Sequence, residues 1–366
     1  MRTMSGDQVD AAVASCTATL RAGVDRDWDT VHAAGMDWTC RTTAFHIAQA
    51  FTHYASRLAG RAQDRFPLAI TLPEGADNAG LIQVIEATGA LVAAAVRTAP
   101  PGVRAFHPQP FGTADREGFA AMAVNESLLH THDIARGLGL AHEPDPDLAA
   151  AVLAWLFPHV QPGPEPWPTL LWATGRGDLP GRARVTDWTL YNNLVIPTER
   201  LLLTGIRPAA ADDVRLGGKG GLDWLGDGPH EGTRQACSHL MKAYETGMHR
   251  PEFGVFALVR PEDGRAVGGI CFHGAPDAER RVEIGYDLIE AARGEGYATE
   301  AVRGLTEWAL ARDDVDMVIA TIEPDNLPSQ RVATRAGFVR ATVEEERTAH
   351  EEYDMEGGLR LYVRRT

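Results

Sequence analysis

The chain has 366 residues, a formal net charge of −15 and a hydrophobic fraction of 44%. That length and apolar content suffice for two cores of ordinary size. A carboxylate excess this large excludes a predominantly basic surface of the kind that nucleic-acid phosphates or anionic lipid headgroups require, and it favours neutral or cationic partners such as amines.

No apolar run approaches the ~18 residues of a membrane-spanning helix; the longest, residues 149–157, is closed by Pro158. No apolar stretch follows the first residues, so no secretory signal is expected. Cys16, Cys40, Cys237 and Cys271 are scattered without a Cys-x-x-Cys spacing and read as reduced thiols, which makes a cytoplasmic location the expectation.

Helical periodicity governs the first part of the chain. It predicts helices over residues 8–22, 39–58, 78–98 and 115–138, with Thr39 as an N-cap, Pro100-Pro101 closing the third and Gly139 following the fourth in C′ position. Four helices with no strand between them predict an antiparallel four-helix bundle, followed by a fifth helix over 147–157. Residues 158–168 carry too many prolines for regular structure. Residues 170–190 are ambiguous and go with the first domain. From Pro197 the pattern changes. Strands are predicted over 200–206, 253–260, 266–273, 282–289 and 317–322, helices over 233–246, 297–312 and 328–336, and two strands close the chain. The expectation is an all-α bundle over residues 1–195 and an α/β domain with a mixed sheet over 196–366.

The stretch Arg293-Gly294-Glu295-Gly296-Tyr297-Ala298 follows a predicted strand and opens a helix. Glycines there let backbone N–H groups approach an anion, and the helix N-terminus adds positive potential, so the stretch reads as a pyrophosphate cradle or as an ordinary strand-to-helix turn. Arg293-x-x-Gly296-x-Ala298 is preceded by Val282-Glu283-Ile284-Gly285-Tyr286 and followed by Asn326-x-x-Ser329 and Ala336-Gly337-Phe338. In this order the motifs resemble the acetyl-CoA signature of the GNAT superfamily, in the branch that contains ribosomal-protein N-terminal acetyltransferases. Residues 197–203 look like that branch's first strand. The resemblance implies a GNAT fold, acetyl-CoA as cofactor and direct attack of an amine on the thioester. The diphosphate would lie on the amides of Arg293, Gly294, Glu295, Gly296, Tyr297 and Ala298. A backbone N–H of the Val282–Tyr286 strand would stabilise the oxyanion. Glu283 would take the amine's proton directly or through water, Ser329 would serve the leaving thiolate, and Asn326 would contact coenzyme A. Glu283 also reads as a solvated strand residue, Ser329 as a helix-start residue and Asn326 as turn chemistry after Pro324-Asp325.

In the first domain, Glu126 and His130 stand at i and i+4 on one helical face, and His46 lies on the second helix among apolar residues. Two imidazoles and a carboxylate can hold one divalent ion, although such a pair is also common on helix surfaces and a lone histidine can be a core residue; His53 competes for the face of His46. Trp38-Thr39 leading to His46, then Glu126-x-x-x-His130-x-x-Asp133-Ile134-Ala135-Arg136, then Leu171-Trp172-Ala173-Thr174-Gly175-Arg176-Gly177-Asp178 resemble the N-terminal domain of mycothiol-dependent maleylpyruvate isomerases, one of the DinB-like metal-binding bundles. The resemblance implies zinc on His46, Glu126 and His130, with Asp133 supporting a ligand. The ion would lower the pKa of a thiol cofactor such as mycothiol. The arginine that this family uses for its substrate is not located, and an acetyltransferase stands where its usual C-terminal domain would be. The expected function is a two-module enzyme whose C-terminal part acetylates a primary amine of a small molecule, a protein N-terminus being the other acceptor. Two alternatives stand beside it: mycothiol-dependent transfer or isomerisation with an accessory acetyltransferase, and a bundle that only docks substrates or dimerises. The oligomeric state is open.

Overall fold

The computed structural model describes residues 4–108, 110–161, 163–347 and 358–366, and the chain divides into two units, Met1–Asn193 and Leu194–Thr366. In the first unit, side-chain caps fix where the long helices begin. Ser5 opens α1 (Gly6–Arg21) in a capping box with Gln8. Thr39 accepts from the Thr42 amide at the head of α2 (Cys40–Ala59). Asp77 and Asp115 cap α3 (Asn78–Thr98) and α4 (Arg116–Leu138) in the same way, through Gly80 and Gly118. Each such oxygen satisfies an amide that the helix cannot. Gly139 ends α4 at φ 67°, a left-handed conformation that costs glycine nothing.

The four helices pack pairwise, α1 and α2 each against both α3 and α4. Leu20, Ile47, Phe51, Leu81, Ile85 and Phe119 are fully buried in the resulting core. A Cβ on Gly89 would lie 2.6 Å from Val13, so α3 and α1 meet there at a distance only glycine permits. The expectation that no segment is apolar enough to cross a membrane needs correction: α3 is, by length and composition, and half of its most apolar window is buried. Its apolarity reflects packing on three other helices.

Two further expectations are corrected. A small antiparallel hairpin, β1 (Arg104–Phe106) with β2 (Thr113–Asp115), stands between α3 and α4; strands of three residues are too short to show a period of two. After α5 (Pro146–Leu156), the proline-rich segment ends in α6 (Pro166–Ala173), because proline is tolerated at a first helical position whose N–H has no partner anyway. Pro162 and Gln109 lie outside the described residues, as do residues 1–3 and 348–357.

The second unit is a mixed sheet with helices. Its elements are β3 (Val195–Pro197), β4 (Leu202–Gly205), α7 (Pro208–Arg215), α8 (Glu231–Glu245), β5 (Val255–Val259), β6 (Ala266–Phe272), β7 (Arg281–Leu288), α9 (Tyr297–Leu310), β8 (Met317–Ile322), α10 (Leu327–Arg335), β9 (Val339–Arg340) and β10 (Arg360–Arg365). The strand order is β3-β4-β5-β6-β7-β8-β10-β9. Every pairing is antiparallel except β7 with β8. Where one first strand was expected, β3 and β4 form a hairpin, turning where the Thr198 amide donates to the Leu201 carbonyl at 2.8 Å. The helix α7 carries no expectation from the sequence.

Gly89→Val should overpack the α1–α3 contact and lower the unfolding free energy of the first unit by about 1–3 kcal/mol. Denaturant unfolding measures this. A midpoint equal to that of the wild-type chain would show that the two helices can separate without cost.

Candidate functional site

The geometry of the second unit turns on β7. This strand pairs with β8 only at Arg281, Val282 and Glu283, opposite Met317, Val318 and Ile319. From Ile284 to Leu288 it pairs with β6 alone, while β8 continues along β10. The two parallel strands therefore part after Glu283. The His273 amide donates to the Glu283 carbonyl at 2.9 Å, and the Ile289 amide to the Val267 carbonyl at 3.0 Å. Antiparallel ladders alternate, so the odd residues of β7 direct their backbone groups at β6, and Ile284, Tyr286 and Leu288 direct theirs into the opening. Consistent with that direction, Arg293 Nε donates to the Leu288 carbonyl at 3.3 Å.

The glycine-rich turn follows β7. Gly294 and Gly296 have φ of 88° and 84°. Gly296 is the N-cap of α9 and brings no side chain to accept from the first-turn amides, so those amides face outward as a group carrying partial positive charge. The Arg293 amide is engaged by the Glu290 carbonyl at 3.1 Å, which leaves the cradle to begin at Gly294. Glu295 contributes its carbonyl to Arg200 Nη1 at 3.1 Å. Arg200 also donates Nε to Glu300 at 2.8 Å and lies 4.8 Å from the Tyr297 ring centre. Arg200 thus stands beside the turn. The sequence signal for it was present in the 197–203 segment but read as a strand.

Alternation along β7 separates the remaining candidates. Glu283 and Gly285 face one side of the sheet, and Tyr286 the other. The Glu283 carboxylate lies 3.2 Å from His273 Nδ1 and accepts from the Thr321 hydroxyl. Burial by itself would raise the pKa of Glu283; the bond and charge of His273, with Thr321, outweigh it and hold the carboxyl below its usual range. His273 is pushed up to about 10 by its hydrogen bond with Cys271 and then by Glu283. Its Nε2 sits over Gly285, where a Cβ would come within 2.6 Å. This side of the sheet borders a cavity of about 330 Å³ lined by Ala236, Leu240, Phe253, Cys271 and His273 among others. Asp287, also on its wall, is spent on Thr233, Gly269 and His230.

On the other side, the Tyr286 hydroxyl is 2.7 Å from Ser329 Oγ and donates to the Ser329 carbonyl at 3.1 Å. Burial raises the phenol's pKa. Asn326 caps α10 by accepting from the Ser329 amide at 3.1 Å. His273, Thr321 and Tyr286 were not singled out by residue; each becomes significant only once neighbouring strands are in register.

In the first unit, His46 on α2 and His130 on α4 aim at one carboxylate. Nε2 of His46 is 3.5 Å, and Nε2 of His130 3.1 Å, from Glu126 Oε2, and the three candidate ligand atoms lie within 4.8 Å of one another. Glu126 Oε2 is buried without a hydrogen bond of acceptable geometry among the described residues, whereas Oε1 accepts from the Tyr54 hydroxyl at 3.2 Å. A buried carboxylate oxygen approached by two imidazole nitrogens is an arrangement that a divalent cation can occupy in place of a proton on either ring. His130 Nδ1 lies 3.3 Å from Asp133, which Arg176 holds through contacts of 2.9 to 3.2 Å. His53 instead hydrogen bonds with the Leu68 carbonyl at 3.1 Å.

The acetyltransferase (GNAT) domain family matches residues 200–339. The chain is 30% identical over 119 residues to the uncharacterized N-acetyltransferase YjdG of Bacillus subtilis (strain 168), covering 32% of this chain and 71% of that protein. It is 30% identical over 83 residues to the uncharacterized N-acetyltransferase p20 of Bacillus licheniformis, covering 23% of this chain and 47% of that one, about half its length. Among solved structures, it is similar to RimL, an alpha-N-protein acetyltransferase of a ribosomal protein, in complex with coenzyme A. The identity is 19%, with 47% of this chain and 98% of that chain covered and a TM-score of 0.34.

The ion pair of His273 and Glu283 carries a pH signature. A histidine raised from 6.5 to about 10 stabilises the fold fully below the lower value, and that contribution is lost as pH rises through the upper one. Urea midpoints of the wild-type chain and of His273→Gln should therefore differ most near pH 6 and converge by about pH 10.5. A gap that stays constant across that window would show that His273 is not held protonated.

Proposed function

This chain belongs to the GNAT acetyltransferases, and from that premise we propose that it transfers the acetyl group of acetyl-CoA to a primary amine of a small molecule. The observation that carries the reading is the parting of β7 from β8 beside an uncapped glycine-rich helix start. In this reading the diphosphate lies on the amides from Gly294 to Ala298, with the guanidiniums of Arg200 and Arg293 beside it. The pantetheine arm follows the open edge of β7. There the amides of Ile284 and Tyr286 offer donors to the carbonyl oxygen as it gains charge.

The two sides of β7 divide the proton traffic. The amine enters from the cavity that His273 and Gly285 border, and Glu283 accepts its proton. A carboxylate held below its usual range is a weak base for a free ammonium, so Glu283 takes the proton, directly or through water, as bond formation to the acetyl carbon makes the nitrogen acidic, with His273 staying protonated beside it. On the opposite side, the Ser329 hydroxyl, hydrogen-bonded to Tyr286, serves the departing thiolate. Asn326 acts through its cap on α10, which fixes where Ser329 stands. The size of the cavity supports a small amine over a protein N-terminus, the other acceptor.

We also propose that the first unit is a DinB-like bundle in which His46, Glu126 and His130 hold a divalent metal, zinc by the character of its donors. When bound, such an ion would lower the pKa of a thiol such as mycothiol. The chain's own residues prepare the site: Asp133 orients His130, Tyr54 orients Glu126, and the Trp38 ring lies 5.0 Å from that of His46. The two activities divide near residue 195. Four free cysteines support a reducing, cytoplasmic setting.

Gly296→Val places a branched side chain where φ is 84° and should raise KM for acetyl-CoA at least about tenfold, a loss of roughly 1.4 kcal/mol. Ser329→Ala should lower kcat about a hundredfold with KM little changed. Steady-state kinetics against an amine panel checks both, and a chain that binds no acetyl-CoA defeats the reading. For the first unit, elemental analysis after dialysis against zinc should give one ion per chain, reduced to background by Glu126→Gln. Equal zinc content in both proteins would remove the metal centre.

A further inference from the structure

We propose that the acceptor is an apolar monoamine, a primary amine on a compact hydrocarbon body that carries no second charge. The proposal rests on the acetyltransferase reading above and concerns what fills the cavity between α8 and the sheet. That cavity measures about 330 Å³. A cavity of about 150 Å³ accommodates benzene, so this one has room for a body of roughly one to two rings with its amine. The space exists because small residues face each other across it. From α8 come Ala236, Leu240 and Ala243, spaced i, i+4 and i+7 on one helical face. From β6 and β7 come Gly269 and Gly285, where a Cβ would lie 2.5 Å from Thr233 and 2.6 Å from His273. Val255 and Cys271 continue the apolar wall. Met248, also on the wall, is 76% exposed, so apolar surface runs from the cavity out to solvent.

The charges on this wall are already matched. Among the described residues it holds one carboxylate, Asp287. The Asp287 oxygens take the Thr233 amide and hydroxyl at 2.7 Å each, the Gly269 amide at 3.0 Å and His230 at 3.1 Å. Arg250 is met by Glu252 at 2.7 Å and Asp314 at 3.3 Å, and His273 by Glu283 at 3.2 Å. His239 and His249, the other basic side chains on the wall, bring no negative charge. A second ammonium on the ligand would therefore lie in the cavity without a counter-ion, which burial makes costly. A carboxylate would have to compete with Glu252 or Glu283 for a cation that is already paired. One amine is provided for, beside Glu283. There the nitrogen takes the acetyl carbon from sulfur, its proton passes to Glu283, and coenzyme A leaves as the thiol. The acidic excess of the whole chain draws amines of any charge, and the wall selects among them.

Three benzylamines that differ only at the para position test this: 4-methylbenzylamine, 4-(aminomethyl)benzylamine and 4-(aminomethyl)benzoate. With the full chain and saturating acetyl-CoA, the methyl compound should show a kcat/KM at least about tenfold above that of either charged analogue. Ala236→Asp places a carboxylate on the wall and should raise the diamine at least about tenfold relative to the methyl compound. Ala243→Phe fills part of the cavity and should lower kcat/KM for 4-methylbenzylamine at least about tenfold, while ethylamine changes less than about twofold. Both alanines are half-buried, so the variants should keep the wild-type thermal midpoint and KM for acetyl-CoA, which are measured alongside. Where a variant loses that midpoint, the wild-type ranking decides. Calorimetric titration with acetyl-CoA separates this proposal from the reading it rests on. A chain that binds no acetyl-CoA defeats both. A chain that binds it, yet acetylates a charged analogue as well as the methyl compound or acetylates none of the three, overturns the proposal alone, as does an unchanged ranking in folded Ala236→Asp.

Discussion

The second unit depends on one constraint: a parallel strand pair that stays hydrogen-bonded for three residues and then separates. Backbone amides inside a protein are almost always paired, so an unpaired strand edge bordered by ordered structure is a standing demand for a partner. Here β6 holds one edge of β7 and β10 holds β8 in place, so the strands cannot close on each other again. The opening is a product of sheet topology rather than of any single side chain. The side chains around it are distributed by simple alternation, Glu283 to one face and Tyr286 to the other.

Much of this organisation is legible in the residues, and what is not has identifiable causes. The bounds of α3 and of β8 coincide with the apolar patterns over residues 78–98 and 317–322, because both are long enough for their period to show and are punctuated at their ends. The β1–β2 hairpin, α7 and the division of residues 195–205 into β3 and β4 are invisible to periodicity, being too short. The glycine-rich turn can be read because glycine at Gly294 and Gly296 answers a backbone need, a positive φ, that is local. Glu283 can be singled out by motif. Its partners cannot: His273 lies just beyond β6 and Thr321 on β8, and only register brings them to one carboxylate. In the first unit, Glu126 and His130 share a helical face by arithmetic, whereas the place of His46 opposite them follows from how α2 packs on α4. The pairing of Asp133 with Arg176, forty-three positions apart, had no local signal at all.

Net charge describes this chain poorly at the scale where ligands bind. Its acidic excess is spread over the surface, while Arg200 and Arg293 gather beside the start of α9. Field strength falls off within a Debye length of about 8 Å in physiological salt. An anion at that place therefore meets the local cations, and the overall charge acts mainly on approach from a distance.

Glu300 gives the start of α9 a further property. It is an acid in the first turn, and it accepts from the Thr198 hydroxyl, the Arg200 amide and Arg200 Nε. An anionic group at that end of a helix already draws on the field of the exposed amides, and it shares the charge of the neighbouring arginine. Any phosphate resting there meets a partly satisfied surface and is gripped less firmly than the bare inventory of cations implies. For a catalyst that must shed its spent carrier after every round, a moderated hold shortens the wait between turnovers.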